Sequence, residues 1–254
     1  MLLFRSILFN FLFYSTSVIA GLIGLPLLVG PSRYAVWLMR AVGHWNLWLL
    51  RVVAGTTYEV RGLENIPDTA CVVASKHQSM WETVSLIAIV EHPALVLKQE
   101  LLYIPLYGWY VQKARMIAIR RSDGPKALRK MLRQAAAAAE EDRHLIIFPE
   151  GTRAAPGARN PYMPGVAGLY SHLDVPCVPV ALNSGLFWPR RRLERKPGTI
   201  VIEFLPPIAP GLKRPEFMKE LENRIETATD KLLLEAGFDP DAAREAASAE
   251  VSKD

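Results

Sequence analysis

The sequence predicts an α/β fold, with a mostly parallel or mixed central sheet flanked by helices and an N-terminal two-helix membrane anchor. Short, almost uninterrupted apolar runs alternate with segments of helical periodicity, which is how strands buried on both faces of a parallel sheet read. No charged residue occurs from Ser6 to Ser32, a stretch long enough for the roughly 20 apolar residues of a spanning helix.

Within that first run, Gly21, Gly24 and Pro26 interrupt the second half, so a kink or a re-entrant hairpin is expected rather than one straight rod. In the next segment Trp37, Leu38, Ala41, Trp45, Trp48 and Leu49 recur at helical spacing, with Arg40, His44 and Arg51 between them. Tryptophans on such an amphipathic helix suit the headgroup layer of a bilayer. Residues 1–53 therefore read as the anchor and 54–238 as the α/β domain. Strands are expected at 57–61 (TYEVR), 71–75 (CVVAS), 94–97 (ALVL), 116–119 (MIAI), 144–148 (HLIIF), 178–182 (VPVAL) and 199–204 (TIVIEF). Helices are expected at 81–91, 126–141 and 216–236. From Asp239 the chain is rich in alanine and charge, and 239–254 reads as a frayed helix or disordered tail.

The formal charge is +5, the pI is about 9.2 and the mean hydropathy is +0.13. A basic balance suits nucleic acid, anionic lipid or a phosphorylated ligand. With no zinc-finger spacing or RNA-binding signature, and with the apolar N-terminus, lipid is the reading and nucleic acid is not. Cys71 and Cys177 each lie in an apolar run, as buried thiols do in a reducing compartment.

The polar residues collect where the predicted strands end. His77 follows CVVAS, Lys98 follows ALVL, Arg120 and Arg121 follow MIAI, Pro149-Glu150-Gly151-Thr152-Arg153 follows HLIIF, and Asn183-Ser184 follows VPVAL. Ligand sites of parallel sheets lie beyond the carboxyl ends of the strands. In Lys76-His77-Gln78-Ser79-Met80-Trp81-Glu82, a histidine in a loop and a carboxylate in the first turn of the next helix can pair. One ring nitrogen is then bound and the other is free to take a proton. Pro149 and Gly151 end the fifth strand abruptly and can present Glu150, backbone amides and Arg153 to a ligand. Arg190-Arg191-Arg192 with Arg195 and Lys196 forms a further basic cluster. A serine hydrolase is disfavoured because Gly-x-Ser-x-Gly is absent. A zinc enzyme is disfavoured because His-Glu-x-x-His is absent.

The histidine–acid pair followed by Phe-Pro-Glu-Gly-Thr-Arg resembles the glycerolipid acyltransferase family, and within it the bacterial 1-acyl-sn-glycerol-3-phosphate acyltransferases. Residues 76–82, 108–121, 148–153 and 178–185 carry the likeness, over roughly residues 57–205. The resemblance implies that an acyl chain passes from acyl-CoA or acyl carrier protein to the sn-2 hydroxyl of a lysophospholipid acceptor, giving phosphatidic acid, without cofactor, metal or acyl-enzyme. His77 would be the general base and Glu82 its orienting carboxylate. Arg121 and Arg153 would hold the acceptor phosphate. Glu150, Gly151 and Thr152 would form the glycerol-binding loop, and Lys98 would contact phosphate or carrier. It further implies a bilayer partner, at a bacterial inner membrane with the catalytic domain on the cytoplasmic side. The family usually has Asp where this chain has Glu82, Ile-Asp-Arg where it has Ile119-Arg120-Arg121, and a lysine before Gly165 where it has Pro164. These departures leave the acceptor headgroup open to another lyso-lipid, such as a lyso-aminolipid. The alternative from another class is a non-catalytic membrane-binding scaffold.

Overall fold

The computed structural model describes residues 1–251, without the side chains of Arg121, Glu250 and Val251. A seven-stranded sheet holds the molecule together: β1 (Thr56–Arg61), β2 (Val72–Ser75), β3 (Pro93–Lys98), β4 (Ile117–Ile119), β5 (His144–Ile147), β6 (Cys177–Leu182) and β7 (Gly198–Phe204). The order is β1-β7-β6-β2-β5-β3-β4, and every neighbouring pair is parallel except β6 with β7. All seven strands fall where the apolar runs predict them. The central strands β2, β5 and β6 are buried along their whole length, which explains why they read as continuous rather than alternating apolar sequence.

Helices cover both faces. On one side lie α3 (Trp81–Ile89) and α4 (Tyr107–Lys113), with α1 (Leu2–Ile23) and α2 (Ser32–Leu49) packed outside them. On the other lie α5 (Pro125–Ala139), α6 (Gly165–Leu173) and α7 (Arg214–Glu235). Periodicity does not predict α4 or α6. α4 has only seven residues, and α6 contains Gly165 and Gly168, poor helix formers. The segment after Asp239 is the helix α8 (Pro240–Val251), not a disordered tail as far as it is described. The Asp239 carboxylate accepts from the amides of Asp241 and Ala242 at 2.9 and 3.1 Å, an N-cap, and Arg244 pairs with Asp230 of α7. Residues 252–254 lie outside the described residues.

Of the N-terminal helices, α1 is long and apolar enough to cross a membrane. The chain turns back at 24–31 through a short 3-10 turn at Leu25–Leu28, as the glycines and Pro26 require. α1 does not project away from the domain. Phe9 and Phe13 meet Trp188 edge to face at 5.3 and 5.7 Å. Ser6 and Asn10 bond the loop around the buried Arg195, whose guanidinium lies 4.3 Å from the Trp188 ring. α2 packs on α3, with Gly43 against Ala88. Trp37, Trp45 and Trp48 stay exposed on its outer side.

Gly108 sets the entry to α4. A Cβ there would meet the Leu102 carbonyl oxygen at 2.0 Å and its Cα at 2.9 Å, and backbone atoms cannot yield as a flexible side chain can. Gly108→Ala is expected to destabilise the fold by about 1–3 kcal/mol, read as a lowered midpoint in chemical denaturation. An unchanged midpoint would show that α4 shifts freely.

Candidate active site

The C-terminal ends of β2, β3, β5 and β6 converge on one edge, and the predicted polar residues meet there. His77 lies in the loop after β2, and Glu82 is in the first turn of α3. Glu82 is completely buried. Its Oε1 accepts from the backbone amides of Gln78 and Ser79, both at 2.6 Å, and lies 2.8 Å from His77 Nδ1. Its Oε2 accepts from Ser79 Oγ at 2.9 Å and Ser184 Oγ at 2.8 Å. Burial pushes this carboxyl upward, but the bonds from His77, Ser79 and Ser184 outweigh it and hold the group below the usual carboxylate range. An ionised carboxylate only accepts, so Nδ1 is the His77 nitrogen that donates to Glu82, and Nε2 is the one left for another partner. The ring is stacked on Phe148, centroids 4.1 Å apart, which fixes its second rotational freedom. The two serines that a hydrolase would need as nucleophiles are buried, with both hydroxyls committed to Glu82.

His77 opens onto a cavity of about 980 Å³. Its polar end carries His77, Lys98, Gly151, Thr152, Arg153 and Arg190. It continues between α1, α2 and α4 along apolar side chains that include Phe13, Val18, Leu38, Val42, Leu106 and Tyr110. The structure therefore brings together His77, Glu82, Lys98, Gly151, Thr152 and Arg153. The side chain of Arg121 lies outside the described residues. Arg120 is exposed and away from the cavity. Arg190 stood in the sequence only as part of a basic run, and nothing distinguished it from Arg191 and Arg192. In the fold it reaches back to donate to the Arg153 carbonyl at 2.9 Å.

Glu150 is placed differently from a ligand contact. It is buried and does not line the cavity. Its Oε1 accepts from the His77 amide at 3.3 Å and lies 3.3 Å from Lys76 Nζ. Glu150 thus shapes the site from behind, by tying the loop after β5 to the loop after β2. Lys76 is bound more closely by a second carboxylate, Glu226 of α7, at 2.8 Å. One ammonium between two buried carboxylates leaves Glu150 short of compensation. Burial raises it to about 7, against the lowering pull of Lys76 and the His77 amide. A carboxyl whose folded pKa is raised contributes stability that is complete below its unfolded value near 4.5 and is lost as pH rises to about 7. The stability of the wild type relative to Glu150→Gln should therefore fall across that window in denaturant titrations. A difference that grows with pH would mean that the Lys76 ion pair outweighs burial.

Residues 57–183 match the Acyltransferase family. The chain is 36% identical over 237 residues, 91% of each chain, to a protein named 1-acyl-sn-glycerol-3-phosphate acyltransferase from Pseudomonas aeruginosa. It is 30% identical over 195 residues, 76% of this chain and 69% of the other, to one of the same name from Limnanthes alba. Its fold matches the crystal structure of the 1-acyl-sn-glycerophosphate acyltransferase from Thermotoga maritima with a TM-score of 0.77 at 22% identity, covering 91% of this chain and 98% of that one. By the family match and the Pseudomonas relative, the chain belongs to the acyltransferase family.

Proposed function

We propose that the chain transfers an acyl group from a thioester of coenzyme A or acyl carrier protein to the sn-2 hydroxyl of 1-acyl-sn-glycerol-3-phosphate, giving phosphatidic acid. The observation that carries this reading is that His77 and Arg153, far apart in sequence, line one cavity whose wall is otherwise mostly apolar. The names of the Pseudomonas and Limnanthes relatives support the same acceptor.

His77 Nε2 takes the proton of the acceptor hydroxyl as its oxygen attacks the thioester carbonyl. The tetrahedral intermediate collapses, the C–S bond breaks, and the thiolate leaves with the proton returned by the imidazolium. Glu82 compensates the charge that appears on the ring during attack. Arg153 and Lys98 are the cations assigned to the acceptor phosphate, and Arg121 is assigned there from the sequence alone. Gly151 and Thr152, which line the same cavity, are assigned to the glycerol. The apolar part of the cavity receives an acyl chain.

Residues 1–53 are proposed as the membrane-binding unit, 54–238 as the catalytic domain and 239–254 as its appendage. α1 is fastened to the domain from Ser6, whose hydroxyl accepts from the Arg195 amide, to Gly21, whose carbonyl accepts from the Tyr110 hydroxyl. A helix held along its length in this way favours insertion into one leaflet over spanning. Exposed Trp37, Trp45 and Trp48, with Tyr103, Ile104 and Trp109 beside α4, suit the headgroup layer. Both donors are water-soluble thioesters of the cytoplasm, so the reading places the site on the cytoplasmic face of a bacterial inner membrane.

Product analysis by mass spectrometry with both donors and a panel of lyso-lipids tests the assignment. Phosphatidic acid from lysophosphatidic acid is the expected product, and preference for another lyso-lipid would reassign the acceptor. His77→Ala should lower kcat by about 10²–10⁴-fold while vesicle binding is kept. A near-normal rate would remove His77 from the chemistry. Arg153→Ala should raise the acceptor KM roughly ten- to a hundredfold, the weight of charge-assisted hydrogen bonds. An unchanged acceptor KM would take Arg153 off the phosphate.

A further inference from the structure

Behind the site, on the side away from the cavity, lies a cluster of buried charge that the chemistry above does not use. Lys76 is 1% exposed and Glu226 4%. Lys76 Nζ donates to both Glu226 oxygens at 2.8 and 3.0 Å and to the Ala158 carbonyl at 3.1 Å, and it lies 3.3 Å from Glu150 Oε1. The hydroxyl of buried Tyr162 donates to Glu226 Oε1 at 2.9 Å. None of these four residues lines the cavity. Glu226 lies on the inward side of α7, next to Ile225 and among Leu221, Thr229 and Leu233, all buried. An apolar residue would serve the core at that position.

A buried ion pair is poor evidence for stability, because desolvating both charges consumes most of what their attraction returns. What this pair does achieve is geometric. Lys76 precedes His77 in the chain. Glu150 links Lys76 to the His77 amide. Glu226 and Tyr162 then fix the same ammonium to α7 and to the segment after the Phe-Pro-Glu-Gly-Thr-Arg loop. The His77 carbonyl completes the frame by accepting from the Ala154 amide at 2.8 Å. The loop that carries the imidazole is thus clamped from behind by a helix outside the segment that matches the family, residues 57–183.

We propose that Lys76 and Glu226 are positioning residues for acyl transfer, a buried clamp that holds the His77 loop against the Arg153 loop so that base and acceptor site keep their register. The proposal rests on the acyltransferase reading above. A misplacement of about 1 Å can cost about 10²-fold in rate, whereas neither residue reaches a substrate.

The test uses the full chain in mixed micelles, comparing wild type with Lys76→Met, Glu226→Gln and the double variant. Wild type must first make phosphatidic acid from lysophosphatidic acid and acyl-CoA, and failure there sinks the functional reading and not the clamp. The clamp predicts that Lys76→Met lowers kcat about 10- to 100-fold with both KM values within twofold of wild type. It also predicts that the double variant is no worse than Lys76→Met alone, since the two act as one unit, and that its thermal midpoint stays near that of wild type. If Lys76→Met does not fold, Glu226→Gln, which keeps the shape and the Tyr162 bond, must still lower kcat at least about threefold at unchanged KM. A double variant with wild-type kcat overturns the proposal. So does a loss that appears in KM, or one that appears only in step with a falling thermal midpoint.

Discussion

The arrangement depends on one buried carboxylate. Glu82 sits in the interior with five donors around it: the His77 ring, two backbone amides and two serine hydroxyls. An isolated carboxylate in such a place would take up a proton rather than stay charged. The five bonds reverse that preference, and they also do structural work. They bind the end of β2, the first turn of α3 and, through Ser184, the end of β6 to a single point. The same charge dictates which nitrogen of His77 holds the proton. Fold and chemistry therefore draw on one interaction, and neither could be altered there without the other.

Around that point the molecule is built as a two-sided vice. On the cavity side, Phe148 stacks on the His77 ring, and Arg153 and Arg190 bring cationic ends to the mouth. On the other side, Lys76, Glu150, Glu226 and Tyr162 form a dry polar cluster. The N-terminal helices close the third side. They supply apolar wall to the cavity and an exposed aromatic face to the surroundings. The same two helices thus line the cavity on one side and turn exposed tryptophans outward on the other, the arrangement on which the proposed membrane-binding role rests.

Much of this was legible in the sequence. The strands were, because a sheet buried on both faces leaves runs such as HLIIF and VPVAL with little room for polar residues. The meeting of the histidine–acid pair with the arginine loop was, because strand ends expose their polar neighbours at one edge. The helices α4 and α6 were not, since the one has only seven residues and the other contains Gly165 and Gly168. α8 was read as frayed or disordered because its stripe is weak, and its anchor, Arg244 on Asp230, is a contact between separate helices. Glu150 looked like a ligand group because it stands within the Phe-Pro-Glu-Gly-Thr-Arg motif. Only the fold shows its carboxylate turned inward to Lys76. Glu226 carried a faint signal, an acid beside Ile225 on the inward side of an amphipathic helix, but its partner is distant in the chain and no local pattern could name it.

The account stands most directly on the state of one imidazole. Nitrogen-15 NMR of the protein in detergent, with histidine labelled and His77 assigned by comparison with His77→Ala, reads the protonation of each ring nitrogen at neutral pH. The structure predicts that Nδ1 carries a proton and donates it to Glu82, which leaves Nε2 as the nitrogen that meets an alcohol. That pattern should be lost in Glu82→Gln, where the side-chain amide no longer compels Nδ1 to donate. A ring protonated on Nε2 in the wild type, or one indifferent to the Glu82 substitution, would contradict the claim that this carboxylate makes His77 a base.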